Sequence, residues 1–170
     1  MNYFELFGMP LGFEIDQRLL KRKYYELSKQ FHPDKFTLHS DEEQVQALQK
    51  STEVNKAYKV LKDKQSRIKY ILEYLGVEFN EGNEKVSQEF LMEMMDINET
   101  LMELKFDPDI EKQKAALHSI EAIKTSLSDE IAPVTQKIDL NNPTDSALAQ
   151  IKDYYLKSQY LKRLVQHLDH

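Results

Sequence analysis

The 170-residue chain is 41% hydrophobic and 31% charged, which suits a folded, water-soluble protein and excludes disordered composition. It has no cysteine, so disulfides, thiolate zinc sites, iron–sulfur ligation by this chain and cysteine nucleophiles are all excluded. Net charge is −6, split between 13 Lys/Arg against 11 Asp/Glu in residues 1–75 and 10 against 18 in residues 76–170. A near-neutral, slightly basic half and a strongly acidic half point to two protein partners; the acidic half would repel a nucleic-acid backbone. No run approaches membrane-spanning length, and Met1–Phe13 reads as folded sequence without a basic leader, so a cytoplasmic protein is expected.

Helical periodicity dominates throughout. Asn2 predicts a cap for a short helix, Tyr3–Phe7, closed by Gly8. Asp16 caps a second helix, in which Leu20, Tyr24, Leu27 and Phe31 form one 4-3-4 stripe. His32-Pro33-Asp34 follows, because Pro33 lacks an N–H and disfavours a preceding helical residue. After a polar loop, Lys35–Ser40, Asp41 begins a third helix with Gln44 as a capping-box-like partner. Its expected apolar positions are Val45, Leu48, Val54, Ala57, Tyr58 and Leu61. A fourth helix, Lys64–Leu75, buries Ile68, Ile71, Leu72 and Leu75. Helix, polar turn and helix together form a device for presenting His32 and Asp34 at a tip.

Periodicity stops at Gly76–Ser87, where two glycines and two asparagines mark a boundary. The expected division is therefore residues 1–75, a linker over 76–86, and a three-helix bundle over 87–170. Ser87 caps the first bundle helix, with Phe90, Met94, Ile97, Leu101 and Leu104 on one face. Asp107-Pro108 is a cap-plus-proline signal for the second. Its stripe of Ile110, Leu117, Ile120, Leu127, Ile131, Val134 and Ile138 is crossed by Pro133, which predicts a kinked helix to Ile138 or a stop near Ile131. Asn142-Pro143 repeats the signal for the third helix, carrying Leu148, Ile151, Tyr155, Leu164 and Leu168. No segment alternates as a strand would, so the fold class is all-α.

The apolar arc of the first bundle helix is unusually wide. Leu91, Met102 and Met95 extend it to about 180°, against the roughly 100° that one buried face needs. Glu99, Met92, Glu103 and Asp96 come next on the wheel. Four of the six methionines lie here, and an apolar strip edged by carboxylates suits either core packing or an adaptable protein-binding face.

His32-Pro33-Asp34 alone supports several readings. It can be a helix stop with a favourable His at the helix C-terminus, a His–Asp hydrolytic dyad, or, with His39, a metal site. No serine is placed as a nucleophile and no familiar metal-ligand spacing is present.

The neighbouring residues add a resemblance. Asn2-Tyr3-Phe4-Glu5-Leu6-Phe7-Gly8, Tyr24 to Lys35, and Asn55-Lys56-Ala57-Tyr58-Lys59-Val60-Leu61 with Arg67 and Tyr70 together resemble a J domain over about residues 1–72. J domains stimulate the ATPase of seventy-kilodalton heat-shock chaperones. The resemblance implies that His32, Pro33 and Asp34 signal to the chaperone, with Lys21, Arg22, Lys23 and Lys29 supplying positive potential. Tyr25-Glu26 stands where many J domains carry Lys-Arg, which points to a specialised chaperone.

Phe90-Leu91-Met92-Glu93 after the linker, the three-helix layout and Asp34-Lys35-Phe36 are similar to the bacterial type of the HscB family, co-chaperones of iron–sulfur cluster assembly. That resemblance implies an IscU-type scaffold protein bound at Leu91, Met92, Met95, Asp96, Glu99, Glu103 and Tyr160, and delivered to a DnaK/HscA-class chaperone. It implies no catalysis by this chain, no cofactor and no metal. A general J protein acting on other clients is the alternative within the same class.

Overall fold

The computed structural model describes residues 1–80 and 82–168, and its helices group into two units, Met1–Tyr74 and Leu75–His170. Among the described residues every regular element is helical.

In the first unit, Asn2 and Glu5 close a capping box at the start of α1 (Tyr3–Leu6), and Gly8, at φ +63°, turns the chain out of it. Asp16 accepts from the Arg18 and Leu19 amides to open α2 (Gln17–Gln30). A 3₁₀ turn, Pro33–Phe36, leads to α3 (Asp41–Lys62), and α4 (Lys64–Tyr74) completes the unit. α2, α4 and α1 all pack on α3. Phe4, Phe7, Leu20, Val54, Ala57, Leu61, Ile68, Ile71 and Leu72 form the core, each at most 2% exposed. Tyr70 ties the N-terminus to α4: its ring stacks on Tyr3 at 4.5 Å, and its hydroxyl accepts the Tyr3 N–H at 2.8 Å.

The hairpin differs from expectation at its outer end. Leu20 is fully buried, whereas Tyr24, Leu27 and Phe31 are half-buried. Val45 and Leu48, expected in the core, are more than half exposed, and Ala47 is buried instead. Ala47 shares a face with Val54, Ala57 and Leu61, and the 100° increment turns Val45 and Leu48 away from that face. Aromatic stacking joins the helices there: Tyr24 lies 4.1 Å from Tyr58, and its hydroxyl donates to Asn55 Oδ1 at 2.7 Å. The cap of α3 is Ser40, whose Oγ accepts from the Glu43 N–H. Gln44, expected as the reciprocal partner of Asp41, donates to the carbonyls of Thr37 and His39. Leu75 lies beyond the end of α4 and is half-buried.

The second unit comprises α5 (Gln88–Glu93), α6 (Met95–Phe106), α7 (Ile110–Lys137) and α8 (Asp145–Leu168). Phe90, Met94, Leu101, Ala116, Ile120, Leu161 and Leu164 are buried together. α7 runs on through Pro133 to Lys137, so no stop occurs at Ile131. Its first residue, Ile110, is 70% exposed and lies outside the core. Both cap-plus-proline signals act two residues late. Asp109 caps α7 and Asp107 closes α6, because the Asp109 carboxylate is the one that reaches the Glu111 and Lys112 amides. Thr144, not Asn142, accepts the Ala147 N–H at the start of α8.

The stretch ahead of α5 is held on α8. Lys152 donates to the Glu78 carbonyl at 2.9 Å and to Glu84 at 3.0 Å, and the Phe79 ring stands edge-on to Tyr155 at 5.5 Å. Among the described residues, no helix is long and apolar enough to cross a membrane.

Candidate functional site

Each unit carries one candidate surface. On the first, α2 ends at Gln30 and His32 adopts the extended conformation (φ −63°, ψ 129°) that a residue before proline favours. Pro33 then occupies the first position of the 3₁₀ turn, where a missing N–H costs nothing. His32 Nδ1 accepts the Asp34 backbone N–H at 3.2 Å, and the His32 carbonyl accepts from Lys35 N–H. The tripeptide is thus a self-capped turn with three exposed side chains.

That hydrogen bond decides between readings. A hydrolytic dyad needs Nδ1–H donating to the carboxylate, yet Nδ1 here is an acceptor and its lone pair is in use. The Asp34 carboxylate stands 3.6 Å from it, beyond good hydrogen-bond distance. His39, the third residue of the possible metal site, contacts Glu43 at 2.6 Å, and its ring lies tilted against Phe36 at 5.0 Å. Among the described residues, no group of three or more His, Asp or Glu side chains is placed to hold a metal ion.

Lys21, Arg22 and Lys29 are exposed on α2 and share a face with Arg18 and Tyr25. Taking buried Leu20 as zero, these five lie between about 100° and 200° around the helix, opposite the core. Lys23, grouped with them by charge, falls about 60° from Leu20, at the margin of the buried stripe, and is half-buried. Tyr25 is 53% exposed, with Lys21 Nζ 6.0 Å from its ring centre. Tyr25, Ser28, Lys29, His32, Asp34 and Lys35 line one shallow recess, which joins the basic face to the tip. Arg18 and Lys35 were absent from the sequence-derived set; Arg18 was legible in the 18–21/22–25–29 spacing.

The second surface lies on α5 and α6. Ser87 Oγ accepts the Phe90 N–H and starts α5. The expected single helix is interrupted at Met94, whose N–H is shared between the carbonyls of Phe90 (3.0 Å) and Leu91 (3.2 Å). The Met94 carbonyl in turn takes both the backbone N–H and the side-chain amide of Asn98. Phe90, Met94 and Leu101 face inward, while Met92 is 69% and Met95 54% exposed. Leu91, Asp96, Glu99 and Glu103 are exposed around them. Met92 and Met95 are therefore not core residues. α8 brings Tyr160 to this place: its ring stands edge-on to Phe90 at 5.5 Å, and its hydroxyl accepts from Asn98 Nδ2 at 2.8 Å. Asn98 is a positioning residue that the sequence reading missed. Its signal was a polar side chain four residues from buried Met94.

Comparisons with known proteins cover both surfaces. Residues 2–70 match the DnaJ domain, and residues 86–169 match the HSCB C-terminal oligomerisation domain. The co-chaperone protein HscB homolog of Vibrio vulnificus (strain YJ016) is 33% identical over 171 residues, 99% of this chain and 95% of the relative. That of Psychromonas ingrahamii is 36% identical over 160 residues, 94% of this chain and 93% of the relative. Among solved structures, chaperone HscB from Vibrio cholerae superposes with a TM-score of 0.74 at 30% identity, covering 98% of this chain and 96% of that one. Human co-chaperone HscB gives 0.85 at 26% identity, covering 99% and 81%.

Proposed function

The chain belongs to the HscB co-chaperone family, and we propose that it delivers an IscU-type iron–sulfur scaffold protein to a DnaK/HscA-class chaperone in the cytoplasm and stimulates that chaperone's ATPase. The chain itself performs no bond chemistry. The α5–α6 strip of Leu91, Met92 and Met95, with Asp96, Glu99 and Glu103 beside it, captures the scaffold, and Tyr160 flanks the strip. The His32-Pro33-Asp34 tip and the Lys21, Arg22 and Lys29 face engage the ATP-bound chaperone; Lys23 sits at the edge of that contact. Carrying both partners on one chain raises their concentration for each other, so hydrolysis is triggered where the client is already present.

The observation that carries this reading is the pairing, in one chain, of an exposed self-capped His-Pro-Asp tip with an exposed methionine strip edged by carboxylates. A hydrolase reading loses its footing where Nδ1 of His32 is already an acceptor. The test is His32→Gln with purified chaperone and scaffold. ATPase stimulation should fall at least tenfold, to the basal rate, while scaffold affinity stays unchanged. Undiminished stimulation would overturn the chaperone-triggering role.

A further inference from the structure

We propose that the partner-binding strip continues to the end of α6, with Met102 and Phe106 as its distal anchor, and that it receives a segment whose apolar row is edged on one side by Lys or Arg. This rests on the scaffold-binding reading of the same helix and extends it from Glu103 to the helix end, a little under one turn.

α6 is uninterrupted from Met95 to Phe106, so the 100° increment applies along its whole length. Taking Met95 as zero, Met102 falls near −20°, Phe106 near +20° and Glu99 near +40°. These four residues share an arc of about 60° and span about 16 Å of helix. Buried Leu101 lies some 120° from Met95, and half-buried Ile97 and Leu104 about 160–180° away, so the row points out of the bundle. Met102 is 63% exposed and Phe106 86%. A large aromatic side chain left so open, in line with two open methionines, is what a protein contact uses as an anchor.

The charges around the row fix the character of its occupant. Asp96 and Glu103 lie at about 100° and 80° and form a carboxylate edge, with Glu99 nearer the row itself; all three are exposed. Lys105 lies at about −80°, on the other side. A partner segment therefore needs its cations on the Asp96–Glu103 side and none opposite Lys105. That asymmetry sets the direction in which the segment lies, and contact with a bare lipid or an all-apolar surface would not use it. Beyond Phe106 the corner stays open and acidic, with Ile110 70% exposed between Asp109 and Glu111.

The experiment measures the dissociation constant of the full chain for the cluster-free IscU-type scaffold, comparing Met102→Ala with Phe106→Ala, singly and together, against Met92→Glu with Met95→Glu. The distal pair is expected to weaken binding about tenfold or more with helicity and melting temperature unchanged. Glu103→Lys is expected to weaken it as well, since it would set a cation against the partner's own cations on the carboxylate edge. Full affinity in the distal variants, beside weakened binding in the Met92 and Met95 variant, would overturn the extension alone. Full affinity in both sets would overturn the scaffold reading as well. Should the double distal variant lose helicity, Phe106→Gln alone decides, because its side chain makes the least contact with the fold.

Discussion

Asn98 Nδ2 donates to the Tyr160 hydroxyl at 2.8 Å while the same nitrogen reaches the Met94 carbonyl at 3.1 Å. One side chain thus joins α6 to α8 and secures the interruption between α5 and α6. Leu91 and Met92 stand before that interruption and Met95 after it, so Asn98 sets how the two parts of the strip align. Asn98→Ala is expected to cost about 1 kcal/mol, leaving the half-buried Tyr160 hydroxyl without its donor, while the Met94 carbonyl keeps the backbone N–H of residue 98. Scaffold affinity should fall too, although Asn98 lies outside the exposed row. A double-mutant cycle with Tyr160→Phe, read by denaturant unfolding, should give a coupling of about 1 kcal/mol. Strict additivity would mean that the two groups do not act together.

Arg67 staples the first unit from inside. Its Nε donates to the Phe13 carbonyl at 2.9 Å and its Nη1 to the Leu61 carbonyl at 2.6 Å. The loop before α2, the end of α3 and α4 thereby meet at one planar group. Burial pulls its pKa below the ordinary arginine value, and the charges of Glu14 and Asp63 pull it back. Arg67→Met fits the space yet strands two buried carbonyls, so a loss of about 3 kcal/mol is expected, read as a lower denaturant midpoint. Arg67→Lys should recover little of it, since an ammonium lacks the fork that serves two carbonyls in fixed directions. Below its lowered midpoint the Arg67→Met protein should still stimulate the chaperone, because Arg67 is 6% exposed and offers a partner almost no surface.

Most helices and their inward faces were legible because apolar period survives in a single sequence, but the first bundle helix, expected as one, is two. Helix ends were less so. Asp107 and Asp109 both flank Pro108, and composition does not say which carboxylate reaches a free amide. Val45 and Leu48 were misplaced because their phase on α3 turns them away from the Ala47, Val54, Ala57 and Leu61 face, and an apolar residue near a hairpin tip can stay open. The interruption at Met94 depends on Asn98 and Tyr160, 62 residues apart, and no local pattern carries it. The exposure of Met92 was legible, since it falls among carboxylates on the wheel; that of Leu91 and Met95 was not, because the pattern suited core packing and an open face alike. Lys23 shows the converse: the J-domain resemblance grouped it with the basic face, whereas its phase relative to Leu20 puts it beside the buried stripe.

Glu84 offers a pH test of the stretch ahead of α5. Its Oε1 accepts from the Asn80 N–H at 2.8 Å and from Lys152 Nζ at 3.0 Å. The Asn80 bond first, and Lys152 second, hold its pKa below the usual carboxylate range. A depressed folded-state pKa means the contribution is present above the unfolded value, about 4.3, and is lost as pH falls through the lower folded value. Lys152 also donates to the Glu78 carbonyl and stands 5.1 Å from the Phe79 ring, so protonating Glu84 loosens one of three contacts that share this lysine. In a carboxyl NMR titration Glu84 should show a midpoint below the unfolded-chain reference of about 4.3. Lys152→Met should raise that midpoint only in part, leaving the larger effect of the Asn80 amide. Glu84→Gln should speed exchange of the Asn80 amide at neutral pH and remove the acid step. A Glu84 midpoint in the ordinary range would show that neither contact persists in solution.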